Sequence, residues 1–401
     1  MNGGSTGAMD MASPTSTTDM STPVNTGPWP ATLPQVVPTA GALTRPHIVP
    51  VFFPNNLLRT QLTTYVQNYV ASSASYAVMK EYGTTSTTVG NAVVLSTAPA
   101  SNVTDADVQA LIAARVADST LPAADGNTMY LFFFPQSTTI TNGSSVSCQD
   151  FAGYHSWSAA GTATALYAVI PQCSATALPT TLPSITVAAS HEITETVTDP
   201  IGKSLYEMND PYSLWFAPFS GNEVADMCEW LSDYAVNEVG IGYTARIWSN
   251  AAMRNRKNPC LPVPTPSSFF AIPIMPEQRQ VQIGTSVRTT ELVSLVSGTP
   301  KTIDVRLISD ATPAPTITVE ALEIPIPTTT APAPATVLSF AWQEAPGQPR
   351  ASAIAGSTLH LQLTANTAPA SGYTTFRMYA TITLSGNVKT QTMWAGQVTV
   401  R

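Results

Sequence analysis

Charge is scarce in this sequence of 401 residues: Asp, Glu, Lys and Arg make up 10% of it, and 17 basic against 25 acidic residues leave a net charge of −8. The basic residues form no cluster, so a nucleic-acid-binding surface, which needs Lys and Arg gathered against phosphates, is excluded. No apolar run reaches the roughly 18 residues a membrane-spanning helix needs, and no transmembrane segment is expected. The N-terminus has neither the basic stretch nor the apolar core of an export signal, so such a signal is expected to be absent or already removed. Cysteine is limited to Cys148, Cys173, Cys228 and Cys260, none in C-x-x-C spacing, which argues against zinc-ribbon or dithiol redox chemistry. Three pairings are open, and nesting order favours Cys148 with Cys173 and Cys228 with Cys260. Paired cysteines, few lysines and abundant Ser and Thr point to a secreted, cell-surface or periplasmic protein. The alternative is four buried thiols in a cytosolic one.

What is present is apolar surface. At 44% hydrophobic residues the chain can bury a sizeable core and is long enough for two domains. Residues 1–44 are Ser, Thr, Gly, Pro and Met with hardly any charge and read as a disordered tether. Over 45–262, apolar strands at 48–53, 89–95, 129–134 and 166–170 alternate with helices, one carrying Leu58, Leu62, Tyr65, Val66 and Tyr69, the other starting at Thr104 or Asp105 and running through Val116. That alternation predicts a mixed sheet with helices packed on it. Four prolines in 259–266 open a linker over 263–278, semi-rigid because proline restricts the backbone. Over 279–401, alternating β-branched and polar residues, broken by turn signals at Ser371-Gly372 and Gly386-Asn387, predict an immunoglobulin-like sandwich without the Cys-Trp-Cys spacing of antibody domains. The expected class is therefore α+β. His360, on one of the sandwich strands, is expected to be structural.

The stretch around which the first domain is organised runs Ser190-His191-Glu192-Ile193-Thr194-Glu195-Thr196-Val197-Thr198-Asp199-Pro200. Its β-branched residues favour a strand. Yet Ile185, Ala189, Ile193 and Val197 recur every four positions, a helical stripe, whereas period two would mix charged and apolar residues on both faces. Pro183 suits a first turn and Pro200 cannot continue a helix, so the helix is predicted over 183–198, with His191 and Glu195 facing away from the packed side. One turn apart on one face, those two side chains can grip a single ion.

This stretch resembles the H-E-x-x-H helix of the zincin metallopeptidases, in which two histidines bind zinc and the intervening Glu is the general base. Glu195 stands where the second histidine would be. Carboxylate is an acceptable zinc ligand, but it lowers the charge of the site and puts activity in more doubt than binding.

Upstream, Cys148-Gln149-Asp150-Phe151-Ala152-Gly153-Tyr154-His155 could form a rim in which His155 binds substrate or stabilises an oxyanion. Downstream, an irregular aromatic stretch with Tyr206, Tyr212, Trp215, Phe216 and Phe219 is expected to wall a cleft. After it, Glu223 and Asp226 are candidates for the remaining protein ligand, with Asp199 a third claimant as ligand or supporting group.

The combined order C…G-Y-H…Y-A-V-I-P…S-H-E-x-x-E-x-x-T-D-P…W…N-E-x-x-D-x-C…W-S-N is similar to that of the exordium-like (phosphate-induced) secreted plant proteins and their bacterial exported relatives. It covers about residues 46–262. The resemblance implies a zincin-like, disulfide-braced, secreted domain; it settles no reaction.

Two functions are therefore weighed. In the first, an exported zinc hydrolase, most simply a peptidase, holds its metal on His191, Glu195 and Glu223 or Asp226 and uses Glu192 as general base on a protein or peptide substrate. In the second, the zincin-like scaffold keeps its fold but serves a non-catalytic extracellular binding or adhesion protein. A paired-carboxylate glycosidase is disfavoured, because Glu192 and Glu195 on one helix are expected to diverge.

Overall fold

The structure is a computed structural model that describes residues 29–37, 41–161, 163–173, 181–201, 207–213, 215, 223–265, 267–283, 286–324, 337–368 and 373–400. It is an α+β chain whose α/β part leads into a β-sandwich. In the first part the strands Thr88–Val89, His47–Phe52, Thr128–Phe134, Ala163–Pro171 and Tyr154–Ala160 lie side by side in that order, with Val93–Val94 also paired to His47–Phe52. All pairings are parallel except the last, where Tyr154–Ala160 runs antiparallel along the edge.

Central strands of a parallel sheet are covered on both sides and so read as continuous apolar runs. Thr128–Phe134 obeys this: Met129, Leu131 and Phe133 enter one core, while Tyr130, Phe132 and Phe134 enter the other. The first core is closed by the helices Arg59–Ser72, through Leu62, Tyr65, Val66 and Tyr69, and Thr181–Thr198. The second is closed by Asp105–Ala117, through Val108 and Ile112. The start of that helix is fixed by a capping box between Thr104 and Asp107, each satisfying the other's free N–H.

Both disulfides are present, Cys148–Cys173 and Cys228–Cys260, in the sequential pairing. They close separations of 25 and 32 residues, for which loop-closure entropy gives about 3.5 kcal/mol each.

The sandwich stacks a four-stranded sheet, in the order Phe269–Pro273, Lys301–Ser309, Thr358–Ala365, Leu338–Trp342, on a six-stranded one. The latter runs Glu277–Ile283, Ser286–Leu295, Lys389–Val400, Tyr373–Thr383, Thr316–Ile324, Arg350–Ile354. Leu359, Leu361 and Leu363 share its core with Phe376, Met378 and Val398. The Gly386-Asn387 turn joins two of the long strands; Ser371-Gly372 lies outside the described residues. His360 is half-buried and pairs with Glu344 at 2.5 Å, a contact at the surface.

Three expectations about organisation are corrected. Within the tether expected over 1–44, described residues are docked: Val36–Val37 pairs with Glu207–Met208, and Leu43 is buried with its N–H bonded to the Val197 carbonyl at 2.8 Å. A few apolar side chains in a polar stretch suffice to dock it; the first 28 residues lie outside the described ones. The linker expected over 263–278 is also occupied, since the sandwich begins at Phe269.

The third correction concerns the aromatic stretch. Trp394 of the sandwich packs edge-on against Tyr212, Trp215 and Phe270 at centroid distances of 6.0, 5.3 and 6.0 Å, and Trp215 meets Trp248 at 6.4 Å. Tyr212 and Trp215 therefore cement the two units into one core instead of walling a cleft; Tyr206, Phe216 and Phe219 lie outside the described residues.

Candidate metal centre

The helix Thr181–Thr198 starts two residues before the expected first turn and ends where expected. Its stripe Ile185, Ala189, Ile193, Val197 is buried, but so is nearly everything else from Ile185 onward. Glu192 is 5% exposed and Glu195 2%, so the face expected to point away from the packed side is enclosed as well. The helix tolerates its buried hydroxyls because they bond back to its own carbonyls: Thr194 to Ser190 at 3.0 Å, Thr196 to Glu192 at 2.7 Å, Thr198 to Thr194 at 2.8 Å. Ser190 pins the turn that presents His191, donating to the Val187 carbonyl and accepting the Ala245 N–H, both at 2.8 Å.

Two other elements meet this helix. His155, expected in a rim that starts at Cys148, lies on the edge strand Tyr154–Ala160, whose register places it opposite Ala168. Tyr154 and Tyr167 both donate to Asp105, at 2.9 and 2.7 Å, fixing the strand's start. Gly153 lets the backbone come this close: a Cβ there would lie 2.8 Å from both Cγ and Oε1 of Glu192. Beyond the helix, Glu223 and the short helix Asp226–Glu229 are anchored by buried Val224, Ala225 and Met227 and by the Cys228–Cys260 disulfide.

The side chains converge. His191 Nε2 lies 3.0 Å from Glu195 Oε1 and 3.5 Å from Asp226 Oδ1. His155 presents Nε2 to Glu223 Oε1 at 3.3 Å, and Nδ1 to Glu192 Oε2 at 3.4 Å and Glu195 Oε2 at 3.8 Å. Glu192 and Glu195 thus both reach His155, contrary to the divergence expected of them. Asp199 is 1% exposed and close enough to raise the pKa of Glu223, but it belongs to none of the groups whose ligand atoms lie within 4.8 Å of one another. Glu229, which does belong to one, was missed; its signal is the D-x-x-E spacing from Asp226.

Crowded carboxylates in a buried place hold protons tightly when no cation offsets them. Burial, followed by the charge of Glu223, drives Glu195 well above the ordinary carboxylate range. Burial likewise pushes Glu223 up to about 7. For the histidines burial acts the other way, but the carboxylates overcome it: Glu223, Glu192 and Glu195 push His155 up to about 10, and Glu195 and Asp226 hold His191 well above its usual value.

Do these residues fit zinc? Donors that share one zinc at about 2.0–2.2 Å stand roughly 3.0–3.5 Å apart, the range of the three shortest contacts between the histidines and Glu195, Glu223 and Asp226. Glu195 Oε1 is buried and has no hydrogen-bond partner despite its 3.0 Å approach to His191. Imidazole nitrogen with carboxylate oxygen is a donor set zinc accepts.

No protein-family model and no curated protein matches the chain. Among solved structures it is similar to the class 5 fimbriae chaperone CfaA, at 15% identity and a TM-score of 0.20 over 33% of this chain and 55% of that one. It is also similar to domains 4 and 5 of the S-layer protein SbsC, at 13% identity and a TM-score of 0.16 over 41% of this chain and 89% of that one. The chain thus spans about half of the chaperone. At these scores neither likeness bears on fold or activity.

Proposed function

We propose that the chain is an exported, zinc-dependent hydrolase of metallopeptidase type, built on a zincin-like domain of the exordium-like kind. The observation that carries this reading is the approach of His191 to two carboxylates, Glu195 one turn along its own helix at 3.0 Å and Asp226 from a distant segment at 3.5 Å. His191 and Glu195 would hold the ion, with Glu223 or Asp226 completing the protein ligands. When bound, zinc supplies Lewis-acid polarisation of a scissile carbonyl and lowers the pKa of water. Glu192, held at His155 Nδ1, takes the proton of the attacking water at Oε2 and returns it to the leaving amine. The side chains of His191, Glu223 and Asp226 keep 16%, 16% and 18% of their exposure, so a substrate approaches from their side while Glu192 and Glu195 stay shielded from bulk water.

The burial of Glu192 against Gly153 favours a second reading, an extracellular binding protein that keeps the ion for structure alone. One experiment separates them: metal content of the purified protein, then cleavage of casein or a peptide library by wild type and Glu192→Gln. Zinc with Glu192-dependent cleavage supports the hydrolase; zinc without it supports the binding protein.

A further inference from the structure

The site holds more ligands than one ion can use. The side chains form three trios in which the ligand atoms lie within 4.8 Å of one another: His191 with Glu192 and Glu195, and two with no member in common, His191 with Asp226 and Glu229 and His155 with Glu195 and Glu223. Glu195 stands between them. Its Oε1 faces His191 Nε2 at 3.0 Å, and the same carboxylate belongs to the trio with His155 and Glu223, so it reaches both groups.

We infer that the centre is dinuclear: one divalent cation on His191, Asp226 and Glu229, a second on His155 and Glu223, with Glu195 bridging. The inference rests on the metal-site reading above and extends it. Three observations support the second ion. First, Glu195 Oε1 is unpartnered in a side chain only 2% exposed; a bridging role occupies both of its oxygens. Second, five carboxylates gather here, those of Glu192, Glu195, Glu223, Asp226 and Glu229. Glu192 and Glu195 are buried, Glu223 and Asp226 half-buried and Glu229 exposed; one divalent cation leaves a net negative charge among them, which a second reduces. Third, His155 offers its two nitrogens to different partners: Nδ1 reaches Glu192 at 3.4 Å while Nε2 faces Glu223 at 3.3 Å. A histidine that donates one N–H to a carboxylate and turns the other nitrogen to a metal is the usual arrangement at such sites.

Carboxylate-bridged pairs hold their ions about 3.5–4 Å apart, and mixed nitrogen and oxygen donors suit zinc or manganese. Such a pair binds a hydrolysable group from both sides. Glu192, in neither disjoint trio, stays available as a base.

The test is a stoichiometry on the full-length chain. The protein is stripped with chelator, titrated with zinc chloride, desalted and assayed for zinc per chain, with calorimetry in parallel. A manganese-loaded sample is examined by electron paramagnetic resonance, which distinguishes a spin-coupled pair from isolated ions whatever the activity. Wild type should retain two equivalents. Glu223→Gln and Glu229→Gln, which keep side-chain volume, should each retain one and lose the coupled signal, with circular dichroism checking that they fold. One equivalent in wild type overturns the second ion and leaves the single-metal reading standing. No bound metal overturns both. Two equivalents unaffected by either substitution overturn the assignment of ligands.

Discussion

His191 and Glu195, one helical turn apart, bring Nε2 and Oε1 within 3.0 Å, yet the oxygen is buried with no hydrogen-bond partner. An ordinary ion pair on a helix face would align its donor with its acceptor and sit in water. This pair is enclosed, and the cation proposed above would sit beside it.

The ligand roles separate by substitution. His191→Ala and Glu195→Ala should abolish retention through desalting of the ion that His191 holds, whereas Glu192→Gln should keep it and lose hydrolysis by about 100-fold or more, the loss typical of removing a general base. Metal analysis with a peptide-cleavage assay checks this; equal metal loss in all three variants would contradict the roles assigned.

Gly153→Ala tests the packing that holds Glu192. The added methyl would lie 2.8 Å from its Cγ and Oε1, so the carboxylate must shift. Overpacking of this kind costs about 1–3 kcal/mol. Zinc should remain while cleavage falls, measured by metal content against turnover.

The metal-free protein should lose stability as pH rises. Glu223 moves from 4.5 up to about 7 and His155 from 6.5 up to about 10. Both folded values lie above the unfolded ones, so the native state holds more protons than the unfolded chain. The stability these groups contribute is complete below about pH 4.5, then declines as Glu223 and later His155 must give up protons. Binding of zinc requires those same groups deprotonated, so affinity should rise over the interval in which metal-free stability falls. Thermal melts with chelator and with zinc, from about pH 5 to pH 9, should show the two slopes opposed.

Much of this was legible in the chain. Every-fourth spacing of Ile185, Ala189, Ile193 and Val197 identified the helix, because a buried stripe repeats at the helical period whatever else the helix touches. Its other face was not legible: Thr194, Thr196 and Glu195 are polar residues, and only the neighbouring strand and short helix show that they are enclosed. His155, Glu223 and Asp226 were named as candidates from residue type and order alone. That they meet follows from sheet order, which puts Tyr154–Ala160 at the edge beside the helix. Tyr212 and Trp215 misled because aromatic residues in irregular chain carry no period, and nothing local tells a cleft wall from a domain joint.

That joint makes a prediction of its own. Trp394→Ala removes a ring that touches Tyr212, Trp215 and Phe270 and should cost about 3–5 kcal/mol. Calorimetry should show the α/β part and the sandwich melting together in wild type; two well-separated transitions would mean that the shared aromatic core does not couple them.

The most direct test of the cation is anomalous diffraction at the zinc edge from crystals grown with zinc. A peak within coordinating distance of His191 Nε2 and Glu195 Oε1 is expected. Its absence, with the His191 ring hydrogen-bonded in line to Glu195, would show a protonated ion pair in place of a metal centre.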